Sequence, residues 1–218
     1  MATPDQVNGF ATLAEVYRLA NPRFTGRVTV PVLFDREKNT IVNNGSAEIM
    51  RMLEVEFAAF GDPAVDLYPE DLREKIDAIN GLIGPRVNGG VYRTGFARTQ
   101  EVYDAAVVDL FEALAHLERH LVDRTFLVGE RLTEADLRLF ATLIRFDAAY
   151  YGALNRNLRR LIDYPNLWAY TRRIHQTQGV AATVRLDHIK RHYYDDHPMI
   201  NRRIVPMGPL LDFGAKAA

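Results

Sequence analysis

The stretch that most constrains this chain runs from Gly26 to Leu53, GRVTVPVLFDREKNTIVNNGSAEIMRML. Arg27–Phe34 is β-branched and apolar and reads as a strand, Asp35–Asn39 carries turn chemistry, and Thr40–Val42 reads as a second short strand. Pro31 cannot donate to a ladder, so the first strand needs an unpaired N–H side or a special peptide there. Val30–Pro31 is a candidate cis bond, because only X-Pro bonds make that form cheap. Asn43-Asn44-Gly45-Ser46 then turns the chain into a helix over 46–58. The first N–H groups of that helix have no partner inside it and are open to an anion.

The remaining pattern is helical. Leu13–Ala20 reads as a helix ended by Asn21-Pro22, and Asp62-Pro63 with Tyr68-Pro69 marks a boundary that divides the chain into domains at 1–62 and 63–218. Downstream, Leu72, Ile76, Ile79 and Ile83 share one face of a helix over Asp71–Ile83 that stops in Gly84-Pro85. Asn88-Gly89-Gly90 reads as a loop, since adjacent glycines favour turns. A long helix follows over Phe96–Leu121, with Val102, Ala106, Leu110, Leu114, Leu117 and Leu121 as its buried positions. Leu132-Thr133-Glu134-Ala135-Asp136-Leu137 has the pattern of a capping box closed by a hydrophobic staple. The run after it is apolar nearly all round, as a central helix is.

Composition excludes several classes. A net charge of -1 with both signs interspersed does not suit a nucleic-acid partner held through phosphates. With no cysteine, the chain has neither disulfides nor thiolate metal sites. No run approaches the ~20 apolar residues of a membrane span, and Met1 is not followed by a secretory signal pattern. The default is a cytoplasmic protein without a membrane partner.

Several separated motifs carry a resemblance: GRVTVPVL at 26–33, IVNNGSAEIMRML at 41–53, NGGVYRTGFA at 88–97, LTEADLRLFATLIRFDAAY at 132–150, DYPNLWAY at 163–170, and HIKRHYY through RIVPMGP at 188–209. In that order they resemble the xi class of glutathione transferases, the glutathionyl-hydroquinone reductases, over residues 5–209. The resemblance implies an α/β plus all-α architecture: a partial thioredoxin-like N-terminal domain followed by an all-helical glutathione-transferase domain. It implies glutathione as co-substrate, quinone-type small molecules as partners, no metal, and a homodimer in intact relatives. The family works through a nucleophilic cysteine in a Cys-Pro-Trp-Ala type segment. MATPDQVNGF resembles family sequence beyond that segment, so the expectation is a chain that lacks it and is inactive as given. The alternative is a non-catalytic protein that binds glutathione or aromatic ligands, or serves as a scaffold.

The resemblance also implies roles for particular residues. Arg27, Val28, Thr29 and Val30 line glutathione, with the Val30 main chain pairing with the tripeptide as an added strand would. Ser46 takes the γ-glutamyl carboxylate at the helix start. The family has glutamate before that serine, holding the ligand ammonium, and Gly45 here removes a charge-assisted contact of ~1.5–3 kcal/mol. Tyr92 corresponds to the proton donor to the departing hydroquinone, while Tyr150 and Tyr193 correspond to hydroxyls that stabilise the reactive thiolate. The bland readings are an N-cap for Ser46 and satisfied buried hydroxyls for the tyrosines. Glu112, His116 and His120 recur on one helix face but read as solvated surface rather than metal ligands. The same reading holds for His188 and His192 near Asp195, Asp196 and His197, and for a basic patch of Arg156, Arg159 and Arg160.

Overall fold

The computed structural model describes residues 5–62, 64–196 and 204–215, and the chain divides into two compact units between Asp66 and Leu67. Pro63, His197 and Arg203, which figured in the sequence reading, lie outside the described residues.

The first unit holds α1 (Leu13–Ala20), β1 (Leu33–Asp35), β2 (Thr40–Asn43) and α2 (Ser46–Val55). α1 matches the sequence reading, and Glu15 returns to its start by accepting the Thr12 N–H at 2.7 Å. β1 and β2 form an antiparallel pair that aligns Phe34 with Ile41 and Asp35 with Thr40. Asn39, at φ 50°, closes their turn, a conformation asparagine tolerates well. The expected Arg27–Phe34 strand is shorter than its sequence suggests, because only Leu33–Asp35 pairs. Upstream, the Thr29 carbonyl accepts from the Tyr17 hydroxyl at 2.9 Å instead of from a strand, and Pro31 has no N–H to offer. Val30–Pro31 is cis, as its sequence suggested. α2 ends at Val55 rather than at 58, and a short 3₁₀ turn at Ala58–Phe60 follows it.

The second unit is helical among its described residues: α3 (Arg73–Ile83), α4 (Gly90–Gly95), α5 (Gln100–His120), α6 (Glu134–Arg145), α7 (Tyr151–Ala153), α8 (Pro165–Gln176), α9 (Val180–Thr183) and α10 (Leu186–Arg191). Its core gathers Ile76 and Ile83 of α3, Leu110, Leu114 and Leu117 of α5, Leu139 and Leu143 of α6, and Leu167 and Ile174 of α8. The expected loop at Asn88-Gly89-Gly90 is helical instead. Pro85 lacks the N–H that would continue α3, and the chain widens into an i→i+5 turn over Gly84–Asn88, closed by Gly89 N–H to the Gly84 carbonyl at 2.8 Å. A side chain at Gly89 would crowd that carbonyl at 3.2 Å, so glycine here serves close backbone packing. α5 begins at Gln100, where the Thr99 hydroxyl caps the Val102 N–H at 3.3 Å. Val102, in the first turn of α5, is 53% exposed, although Ala106 one turn on is buried as expected.

The capping box at α6 closes as its sequence suggests, with Asp136 accepting the Thr133 N–H at 2.8 Å and the Thr133 hydroxyl at 2.9 Å. Its other carboxylate oxygen accepts the Leu127 N–H and the Tyr170 hydroxyl, both at 2.9 Å. One buried carboxylate therefore ties α6 to the preceding loop and to α8. Burial pushes the Asp136 carboxyl above its ordinary range despite those four donors. Asp147 acts similarly on a smaller scale, accepting the Leu161 and Ile162 N–H groups at 2.6 and 3.1 Å. Residues 204–215 lie along this unit, with Phe213 packed on Trp168 at 5.1 Å between ring centroids. Among the described residues, no helix is long and apolar enough to cross a membrane.

Candidate functional site

The first unit presents a short peptide edge beside a helix start. Tyr17 of α1 is buried against Phe24, and its hydroxyl meets the Thr29 carbonyl, the Thr29 hydroxyl at 3.2 Å and the Asn44 amide at 3.1 Å. This knot fixes the peptide at Thr29 and leaves the next residue outward. Val30 is 79% exposed, and among the described residues nothing hydrogen-bonds its main-chain N–H or C=O. Arg27 and Val28 are also exposed. Neither Tyr17 nor Asn44 was singled out by sequence. A tyrosine at the buried face of a short helix has no periodic signal that separates an anchor from ordinary core.

At the helix start, Gly45 is the N-cap and Ser46 the first helical residue, not the cap itself. The Asn43 side chain accepts the Gly45 N–H at 2.7 Å, while the Ser46 hydroxyl stands exposed at the positive end of α2. Position 45 lacks a carboxylate of its own, but one stands close to it. A Cβ placed on Gly45 would lie 2.1 Å from a Glu48 carboxylate oxygen, so Glu48 folds back over the space a side chain at 45 would take.

The second unit brings together three residues far apart in sequence. The Tyr92 and Tyr193 hydroxyls lie 2.8 Å apart, Tyr150 and Tyr193 3.2 Å, and Tyr92 and Tyr150 3.3 Å, so the three oxygens form a hydrogen-bonded triangle. Tyr92 comes from α4, Tyr150 from the wide turn over Phe146–Tyr150 that ends α6, and Tyr193 from the similar turn over His192–Asp196 that follows α10. Each such turn interrupts the regular ladder and re-aims a side chain. The Tyr150 and Tyr193 rings meet edge to face at 5.0 Å. Tyr92 stacks on Phe96 and is 40% exposed, which makes it the solvent-facing corner of the triangle. Burial, then the neighbouring hydroxyls, holds Tyr150 well above the ordinary phenol range. Burial and Tyr92 do the same to Tyr193. At neutral pH both phenols keep their protons.

Behind the triangle lies a residue the sequence placed on the surface. Arg156 is fully buried rather than part of a basic patch. Its Nε donates to the Thr94 hydroxyl at 2.5 Å and a terminal nitrogen donates to the Tyr150 carbonyl at 3.2 Å. Charge alone could not reveal this, because arginines at 156, 159 and 160 look alike in sequence. Arg159 does remain outside, over the Tyr164 ring, and Arg160 pairs with Asp163 at 2.8 Å. Glu112 lies 3.4 Å from Arg86, and the His120 ring bonds the Leu127 carbonyl at 2.8 Å. Among the described residues no acidic, histidine or cysteine cluster has the shape of a metal site.

Residues 100–173 match the family model described as glutathione S-transferase, C-terminal domain. Glutathionyl-hydroquinone reductase PcpF of Sphingobium chlorophenolicum is 49% identical over 207 residues, which is 94% of this chain and 66% of that relative. The glutathione-bound structure of YqjG, a glutathione transferase homolog from Escherichia coli K-12, superposes with a TM-score of 0.94 at 46% identity, over 99% of this chain and 70% of the other. The xi-class transferase of Natrialba magadii gives a TM-score of 0.95 at 51% identity, over 100% of this chain and 67% of the other. The two-stranded unit therefore corresponds to a thioredoxin-like N-terminal part, and the helical unit to the transferase C-terminal domain. The chain belongs to the xi-class glutathione transferase family, that of the glutathionyl-hydroquinone reductases.

Proposed function

We propose that this chain carries the tripeptide-binding edge and the proton-donating hydroxyls of a glutathione-dependent reductase of glutathionyl-hydroquinones. The observation that supports this most is the triangle of hydrogen-bonded tyrosine hydroxyls with one exposed corner at Tyr92. Such a group can protonate the ring carbon that a leaving sulfur vacates, with Tyr150 and Tyr193 sharing the charge left behind. In the first unit, the free Val30 main chain would pair with glutathione as an added strand. Ser46 at the start of α2 would receive the γ-glutamyl carboxylate, and Glu48 stands where the ligand ammonium can be held. The relatives named as reductases and the glutathione-bound neighbour support the substrate class.

The sulfur chemistry requires a thiolate, and these 218 residues contain no cysteine. The chain by itself is therefore proposed to bind glutathione without turning over a glutathionyl-hydroquinone. The test joins the N-terminal segment of PcpF to this chain. The fusion is expected to reduce glutathionyl-hydroquinones with glutathione, and Tyr92→Phe in it to lower kcat by ~10²–10⁴. Turnover by the unjoined chain, or an unchanged rate in the Tyr92→Phe fusion, would refute the reading.

A further inference from the structure

Asn155 sits in the left-handed region at φ 55°, and its carbonyl accepts the Tyr103 hydroxyl at 2.5 Å. That turn sends the next side chain, Arg156, into the interior rather than along the surface. Its guanidinium lies over the Tyr150 ring, 5.2 Å from the centroid. The Thr94 hydroxyl that receives its Nε is in the same short helix as Tyr92, and it donates in turn to the Val91 carbonyl at 3.1 Å or the Gly90 carbonyl at 3.2 Å. One terminal nitrogen has no hydrogen-bond partner among the described residues. It lies against the backbone at Gly95, where a Cβ would meet it at 2.7 Å.

A buried cation with no carboxylate partner is costly, and an apolar side chain would fill the same volume more cheaply. Its presence makes sense if the charge acts on something beside it, and what lies beside it is the triangle of hydroxyls. We propose that Arg156 is a positioning residue of the tyrosine triangle: it ties the helix carrying Tyr92 to the turn carrying Tyr150 and holds a positive charge against the three phenols. When a phenol of the triangle gives its proton to substrate, a phenolate remains, and a nearby cation stabilises it. Burial draws the guanidinium down from its ordinary value, and its attraction to Tyr150, Tyr193, Tyr92 and Tyr103 as phenolates opposes that drop, so it keeps the charge that a guanidinium holds in proteins. The other groups facing the triangle are Arg145, acting on Tyr193, and His192, whose ring abuts Tyr193 at 4.7 Å. The Asp147 carboxylate on the same turn as Tyr150 is taken up by the Leu161 and Ile162 N–H groups.

The catalytic consequence rests on the proposed function, but the test needs no turnover. Tyrosines labelled at the hydroxyl-bearing carbon report each ionisation by NMR in the full chain. Arg156→Gln is expected to raise the first ionisation of the triangle by about one unit, a tenfold shift, while Arg156→Lys keeps it within half of that. Tyrosines outside the triangle should titrate as before and report an intact fold. An unmoved triangle in Arg156→Gln, or equal shifts in the Gln and Lys variants, would overturn the proposal. Should Arg156→Gln fail to fold, Gly95→Ala crowds the guanidinium, together with the apolar Leu154, without altering any titrating group. The triangle's ionisation must then move, and an unmoved value in the folded Gly95→Ala protein overturns the proposal too. A shifted titration beside an inactive PcpF fusion would refute the reductase reading and leave the role of Arg156 standing.

Discussion

The two units differ in how their candidate residues are held. In the first, the peptide at Thr29 depends on one buried hydroxyl, that of Tyr17, and the buried apolar side chains among its described residues are Val16, Tyr17 and Ile49. In the second, the tyrosine triangle sits on a core drawn from α3, α5, α6 and α8, laced by carboxylates such as Asp136 that accept several N–H and O–H groups at once. A ligand that binds through main-chain atoms needs only a free edge and a helix start. Proton transfer among hydroxyls needs oxygens fixed within hydrogen-bonding distance, and that demands a stiff, well-packed frame.

The largest effect that could break this comparison is at Asp136. Asn in its place keeps one acceptor oxygen, so two of the four donors lose their partner inside the core. Asp136→Asn is expected to cost about 3 kcal/mol or more, the penalty of leaving buried donors unpaired in a linked network. Denaturant unfolding followed by helical circular dichroism measures it. A loss below about 1 kcal/mol would mean that the frame does not depend on this carboxylate.

Tyr17→Phe probes the other unit. The ring still packs on Phe24, but the Thr29 carbonyl and the Asn44 amide lose the hydroxyl between them. The expected cost is about 1 kcal/mol, the net worth of a typical hydrogen bond, confined to the first unit. Amide exchange should quicken near Thr29 and Asn44 while the helical unit keeps its protection. Equal loosening in both units would show that the two are not held independently.

Legibility in the sequence divides along similar lines. Local chemistry was readable: the end of α1 by its Asn-Pro stop, the β1–β2 turn by Asp35–Asn39, and the α6 start by Thr133 and Asp136. The wide turns were not. Gly84-Pro85 and Asn88-Gly89-Gly90 carry every usual signal for a break, yet surrounding packing keeps the chain helical, and only tertiary contacts decide that. The three tyrosines were found through motif resemblance, because no spacing links positions 92, 150 and 193. Arg156 was misplaced for a related reason: whether an arginine turns inward depends on the left-handed residue before it and on Thr94 from another helix.

The smallest expected effect concerns the edge of the stiff unit, where residues 204–215 dock. His175 of α8 has a buried Nδ1 with no hydrogen-bond partner among the described residues, and its ring lies 5.4 Å from that of Phe213. Burial holds its pKa below the usual 6.5. For a base whose folded value is depressed, the unfolded or undocked state binds the proton better. The stabilising contribution is therefore present above pH 6.5 and is lost as pH falls through the lower folded value. Phe213 also packs on Trp168, the single tryptophan, so its fluorescence reports the docking directly. Acidification from neutral pH should shift Trp168 emission toward that of a more exposed indole, and His175→Phe should flatten the response. An unchanged emission across that range, or the same pH response in His175→Phe, would show that the docking of this segment does not depend on the charge of His175.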